Sequence, residues 1–468
     1  MSAVSLAIAG TTLLGLPPAP SVGPPTVTAA ADLLSGEASG GVALLPGGSG
    51  VPIPPMHLVQ EAFDKYIAPN GYADYIPTRL FTPEGLNPIF TPPKSLTLDA
   101  SVAQGVTILN NAIEAQLGAG HNVVVGGVSQ SATIASLEMR DIANGSLGVQ
   151  PTPDQLAFFM VGNPNNPNGG MLSRFDLPIG SHPSIPSLGI TFSGATPADT
   201  DYPTYIWSGE YDGFADFPRY PLNVLSDINA FLGILYVHGE YFKLDQDVID
   251  NAIKLPTSAG YDGGTTYYML PTNDILPLVE PLRGIPVIGN PLADLLEPDL
   301  RVLVNLGYGA DPYIGWSDTP ADVQTPIGLF PSIDADQFTT ILQALADGAK
   351  QGINAFVADL SDPPVAPSSS ADVTDLPSFT DAVNALTSAF SQAYATLLPT
   401  ADIATAMLTT LPTYDLTLFA DYLQAGDLIN AVGMPIAADV GLFTLAAGVE
   451  FMAVMQAVSG IQDALSIF

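Results

Sequence analysis

The chain has 468 residues, with 11 Lys and Arg against 46 Asp and Glu, a formal charge of −35, and no cysteine. That balance excludes a nucleic-acid-binding module, which needs clustered cations to neutralise phosphates, and it argues against attraction to anionic lipid. Charged residues are only 12% and hydrophobic residues 47%, so this is not the acidity of a disordered chain, which combines high charge with low hydrophobicity.

The length suggests two or three domains. Residues 1–40 read as leader and linker. Residues 3–16 are mostly apolar and Ala29, Ala30 and Ala31 offer small residues to a signal peptidase, but the first basic residue is Lys65, so the positively charged start of a signal peptide is missing. A disordered Ala/Pro-rich leader, or the remnant of a lost N-terminal domain, is the other reading. Residues 41–333 alternate short apolar runs with amphipathic ones, the pattern of an α/β domain with a mostly parallel sheet. Strands are predicted at 41–45 before GGSG, at 122–125, at 156–161 before NPNNPNGG and at 204–207 before GEYDG. Helices are predicted at 101–117 and 132–143. Ligands of open α/β sheets bind at the carboxyl ends of the strands, where these loops collect. Residues 334–468 change character: 337–358, 379–397 and 414–431 have helical apolar spacing, and the segment holds 15 acids and one base, Lys350. It reads as a helical region. Its longest apolar stretch, 434–458, is interrupted by Asp439 and Glu450, and the unbroken part is too short to span a bilayer.

The sharpest local signal is the run VVVGGVSQSA at 123–132. Valines that read as a buried strand lead through G-x-S-x-S into a helix start, a near-match to the nucleophile elbow G-x-S-x-G. The serine of such an elbow, Ser129, occupies a strained turn that needs small residues two positions either side. Gly127 meets that demand, and Ser131 replaces the usual second glycine. The alternative is an ordinary turn capped by Ser131.

A catalytic serine needs a base, almost always histidine. The chain has four: His57, His121, His182 and His238. In α/β-hydrolase order the histidine follows serine and acid, which removes His57 and His121. His182 has no convincing acid between it and Ser129, and His238 remains. The acid belongs in the loop after a later strand, and the segment SGEYDGFAD at 208–216 supplies Asp212, with Asp216 and Glu210 as alternatives. Asp212 before Gly213 suits a tight loop that presents a carboxylate. Oxyanion donors are expected from the backbone N–H of Gln130 and from Ser49 in the loop 45–50, which also reads as a plain Gly-rich turn. The sequence carries no Walker A, HExxH or EF-hand pattern, so no metal or cofactor is expected.

The strings GGVSQSA, LLPGGSGVPIP and YDGFADFPRYPLN, with the later His238, together resemble the mycobacterial PE-PPE domain over roughly residues 41–333. The later runs LPTADIATAMLTTLPTYDLTLF and PIAADVGLFTLAAG are similar to segments that follow this domain in some members. The resemblance implies a cutinase-like serine hydrolase of the α/β-hydrolase fold, with Ser129 as nucleophile, His238 as base, Asp212 as acid, and Gln130 and Ser49 at the oxyanion loop. It further implies activity on short- to medium-chain acyl esters, transfer to envelope glycolipids in some members, and a secreted or envelope-associated location. Residues 1–40 do not resemble a helical PE or PPE domain, and the disulfides of true cutinases are missing. Three functions follow as expectations: an esterase or lipase, an acyltransferase with the same triad, and a non-catalytic envelope or partner-binding protein on a hydrolase fold.

Overall fold

A computed structural model describes residues 40–361 except 88, 90–94, 146, 149, 273 and 274, together with 384, 387, 388, 391 and 397–465. The expected leader, and nearly all of the expected helix at 379–397, lie outside the described residues.

Among the described residues nine strands form: β1 Gly41–Leu45, β2 Tyr75–Arg79, β3 Val123–Val128, β4 Leu156–Val161, β5 Ser184–Ile185, β6 Ile190–Thr191, β7 Thr204–Gly209, β8 Ile253–Lys254 and β9 Thr265–Leu270. Seven of them make one sheet in the order β2-β1-β3-β4-β7-β9-β8, parallel throughout except for β8 against β9. β5 and β6 form a separate antiparallel hairpin. The helices used below are α1 Met56–Ala62, α2 Leu98–Gly118, α3 Gln130–Ala143, α4 Met171–Arg174, α5 Val224–Tyr236, α6 Gln246–Asp250, α7 Glu280–Arg283, α8 Gly289–Asn305 and α9 Ala335–Ser361. Three more follow, α10 Leu397–Thr405, α11 Leu411–Gln424 and α12 Leu428–Leu465.

The β-period of two explains how one sheet carries two cores. Val123 and Val125 face a core with Leu109 and Ile113 of α2 and Ile134 and Met139 of α3. Val124, between them, faces the opposite core with Phe63, Tyr66 and Ile67. On that second face the rings of Phe159, Tyr205, Trp207 and Tyr268 stack across three neighbouring strands, with centroids 4.7 to 6.0 Å apart. Helices on both faces of a mostly parallel sheet make the expected α/β-hydrolase architecture.

Four predicted strands form within three residues of their expected ends. β2, β5, β6, β8 and β9 were not anticipated. β2 carries Pro77, which suits an edge strand and reads as a loop. In the C-terminal region, α9 packs along α8. The expected helix at 414–431 is instead broken by a turn at Ala425–Asp427, with Gly426 at φ +78°, and its second part begins α12. The stretch 428–459 of α12, which holds an 18-residue window of mean hydropathy 1.6, is long and apolar enough by length and composition to cross a membrane. The unbroken apolar runs are as short as expected, yet the helix itself continues through Asp439 and Glu450. In this structure α12 lies on the hydrolase core, with Met434, Ala437 and Ala438 buried.

Candidate active site

β3 ends and α3 begins at Ser129, whose φ of +56° and ψ of −119° lie where a non-glycine residue is strained. The elbow is sterically compulsory at Gly127: a Cβ there would sit 2.8 Å from the Cα of Ala132. Ser131, standing where the elbow pattern has glycine, turns inward. Its hydroxyl accepts the Val128 N–H at 2.8 Å and lies 3.0 Å from the Val128 carbonyl. A small polar residue is thus accommodated by closing its own hydrogen bonds inside the turn.

The structure brings Ser129, His238 and Asp212 into one chain of contacts. His238 Nε2 is 2.8 Å from Ser129 Oγ, and His238 Nδ1 is 2.7 Å from Asp212 Oδ2. Asp212 sits beyond the end of β7 with no exposure. Its Oδ1 accepts the Phe214 N–H at 2.9 Å. His238 follows α5, which is pressed against the Asp212 loop so closely that a Cβ on Gly233 would lie 1.8 Å from the Tyr211 carbonyl oxygen. The Phe214 ring meets the imidazole edge to face at 4.8 Å.

The other candidate acids are engaged elsewhere. Asp216 Oδ2 accepts the Tyr211 N–H at 3.1 Å, and Glu210 accepts the N–H groups of Thr272 and Gly315. His182 pairs with Asp176 at 3.3 Å.

Gln130 and Ser49 both border the cavity at Ser129. As the first residue of α3, Gln130 has a backbone N–H without an intrahelical acceptor, at the positive end of the helix. Its side chain is nearly fully buried and fixes the β1 loop: Nε2 donates to Ser49 Oγ at 3.0 Å and to the Gly85 carbonyl at 2.8 Å, while Oε1 accepts from Ser101 at 2.6 Å. Because the amide nitrogen can only donate, Ser49 Oγ accepts there and keeps its own O–H free for a ligand. A Cβ on Gly48 would stand 3.4 Å from the Ser129 Cβ, in ordinary van der Waals contact.

Tyr241 escaped the sequence reading. Its hydroxyl donates to Asp212 Oδ2 at 2.5 Å and accepts the Gly209 N–H at 2.7 Å. Burial, then the Asp212 charge, pushes its phenol well above the ordinary range, so it stays a donor. The only sequence signal was proximity, three residues after His238.

The PE-PPE domain family matches residues 73–309. The chain belongs to that family. Among its relatives in Mycobacterium tuberculosis, the PPE family protein PPE28 is 46% identical over 89% of this chain and 65% of its own length. Esterase PE16 is 50% identical over 65% of this chain and 53% of its own length. Diacyltrehalose acyltransferase Chp2 is 30% identical over 61% of this chain and 78% of its own length. The chain thus spans between about half and two thirds of the first two relatives. The match begins after β1, yet β1 pairs with both β2 and β3 inside the sheet.

Proposed function

We propose that the chain is a serine carboxylic-ester hydrolase in which Ser129, His238 and Asp212 act as a triad, carried by a hydrolase domain at 41–333. The observation that carries this reading is the unbroken line of contacts from Ser129 Oγ through the imidazole to Asp212, at 2.8 and 2.7 Å. A PE-PPE membership and the relative named esterase PE16 lend it support.

In this reading, Ser129 Oγ attacks the ester carbonyl carbon as its proton passes to His238 Nε2. Asp212 holds the Nδ1–H tautomer and stabilises the imidazolium. The carbonyl oxygen, now negative, is met by the Gln130 N–H and by Ser49. The C–O bond to the alcohol breaks as His238 returns the proton to the departing oxygen, leaving an acyl-Ser129 ester. Water then attacks that ester with His238 again taking a proton, and the carboxylic acid leaves with Ser129 restored.

The test is Ser129→Ala against p-nitrophenyl esters. Turnover should fall by a factor of about 10³ or more, since a triad without its nucleophile retains only binding and oxyanion stabilisation. Full turnover in the variant would sink the proposal. A second reading, transfer of the acyl group to a sugar hydroxyl in place of water, is favoured by the relative named diacyltrehalose acyltransferase. Added trehalose would then divert product from free acid to a new ester. The envelope-associated or secreted location is proposed on family membership alone.

A further inference from the structure

Two clefts open from Ser129. One runs beneath α10, α11 and α12, and its empty volume is about 1440 Å³ with open solvent included. The other runs between the β1 loop and His238. Of the two, only the second is bordered by His238. In the proposed reaction the histidine returns its proton to the departing alkoxide, so the alcohol half of the ester lies on the His238 side. The acyl half is left with the first cleft.

That first cleft is almost wholly apolar, and its walls come from two distant parts of the chain. Phe192 and Phe231 belong to the hydrolase domain, while Met407, Leu411 and Ala446 come from the C-terminal helices. These helices are seated firmly. The Tyr414 hydroxyl donates to the Phe175 carbonyl at 2.9 Å, and Ser187 donates to the Asp402 carbonyl at 2.8 Å. A Cβ on Gly448 would fall 2.5 Å from the Phe231 ring, so α12 rides directly on a residue that lines the cleft.

We propose that the C-terminal helices are part of the substrate site: they wall the acyl cleft and make the substrate an ester of a medium- to long-chain fatty acid. Each methylene buried there adds to the binding of the acyl chain, so the preference for long chains depends on these helices remaining in place. The proposal rests on the ester-hydrolase reading.

Its test is the ratio of kcat/KM for p-nitrophenyl dodecanoate to that for the acetate. Ala446→Trp fills the cleft from α12 and should lower the ratio at least tenfold. Ile429→Trp, on a side chain 76% exposed, should leave the ratio at the wild-type value. Because the chain has no cysteine, Ala446→Cys can be alkylated with N-hexylmaleimide after folding, which blocks the cleft even where the tryptophan variant does not fold. A ratio within twofold of wild type in the blocked forms would overturn the proposal, as would a wild-type enzyme that prefers acetate to dodecanoate. Turnover that survives Ser129→Ala removes the hydrolase reading itself. Turnover that needs Ser129 while the ratio stays put removes only the role of the helices.

Discussion

Asp212 is the best-held side chain of the candidate site. Its two oxygens accept from His238, from Tyr241 and from the Phe214 backbone while the residue is wholly buried. A buried carboxylate needs such donors, since each hydrogen bond to a charged group is worth about 1.5–3 kcal/mol. Tyr241→Phe removes one donor and leaves the Gly209 N–H without its acceptor. Steady-state kinetics should show kcat reduced roughly ten- to hundredfold with KM changed much less. A kcat equal to wild type would mean that Tyr241 does not hold the acid for catalysis. Ser129 was legible in the sequence because an elbow is a local pattern with fixed steric demands at Gly127. His238 was legible by chain order, and Asp212 by its turn. Tyr241 was not, because no short pattern says which tyrosine will fold back onto a carboxylate.

At the scale of elements, the strands that position the site were legible where they are buried on both faces and end in Gly-rich or polar loops, as β1, β3, β4 and β7 do. β2 and β8 lie at the sheet edges, where the apolar signal is weak. The C-terminal helices were legible as helices, but their apolar stripes do not say what covers them. Tyr414, Leu418, Met434 and Ala438 prove to share a core with Phe175 and Phe217, residues 197 to 263 apart in sequence. Across α11 and α12, Asp415 and Asp439 face each other in a hydrogen bond. Burial, then the Asp415 charge, pushes the Asp439 carboxyl up to about 6. A raised carboxyl stabilises the folded form fully below its unfolded pKa near 4 and loses that contribution as pH rises through about 6. Hydrogen-exchange protection factors of α11 and α12, corrected for intrinsic rates, should therefore be higher at pH 5 than at pH 7.5. Asp439→Asn should erase most of that difference, and an undiminished difference in the variant would exclude the pair as its source.

For the whole molecule, the charge of −35 meets a second effect of the same sign. Burial pushes the carboxyls of Glu84 and Asp227 up to about 8 and that of Glu138 up to about 7. Both oxygens of Asp227 are buried without a hydrogen-bond partner. With folded pKa values above unfolded ones, folding takes up protons, so stability is greatest in mild acid and declines as pH climbs through about 7 to 8. Tm by calorimetry should be higher at pH 5.5 than at pH 8.5. Asp227→Asn, which removes one ionisation, should raise Tm at pH 8.5 by several degrees and flatten the profile. A profile as steep as that of wild type would show that Asp227 is not among the groups responsible. None of this was visible in composition, which counts acids without saying which are buried.

The close seating of Gly448 against Phe231 has a consequence in time as well as space. A chain made from its N-terminus presents Ser129, Asp212 and His238 to the folding domain well before residues 397–449 leave the ribosome. Under the proposed reading, the nascent chain therefore holds its nucleophile before the wall of its acyl cleft exists. During that interval Phe231 and its neighbours stand open to any hydrocarbon in reach. Arrival of the last helices then covers that apolar surface, and a chain stalled short of them would leave it exposed.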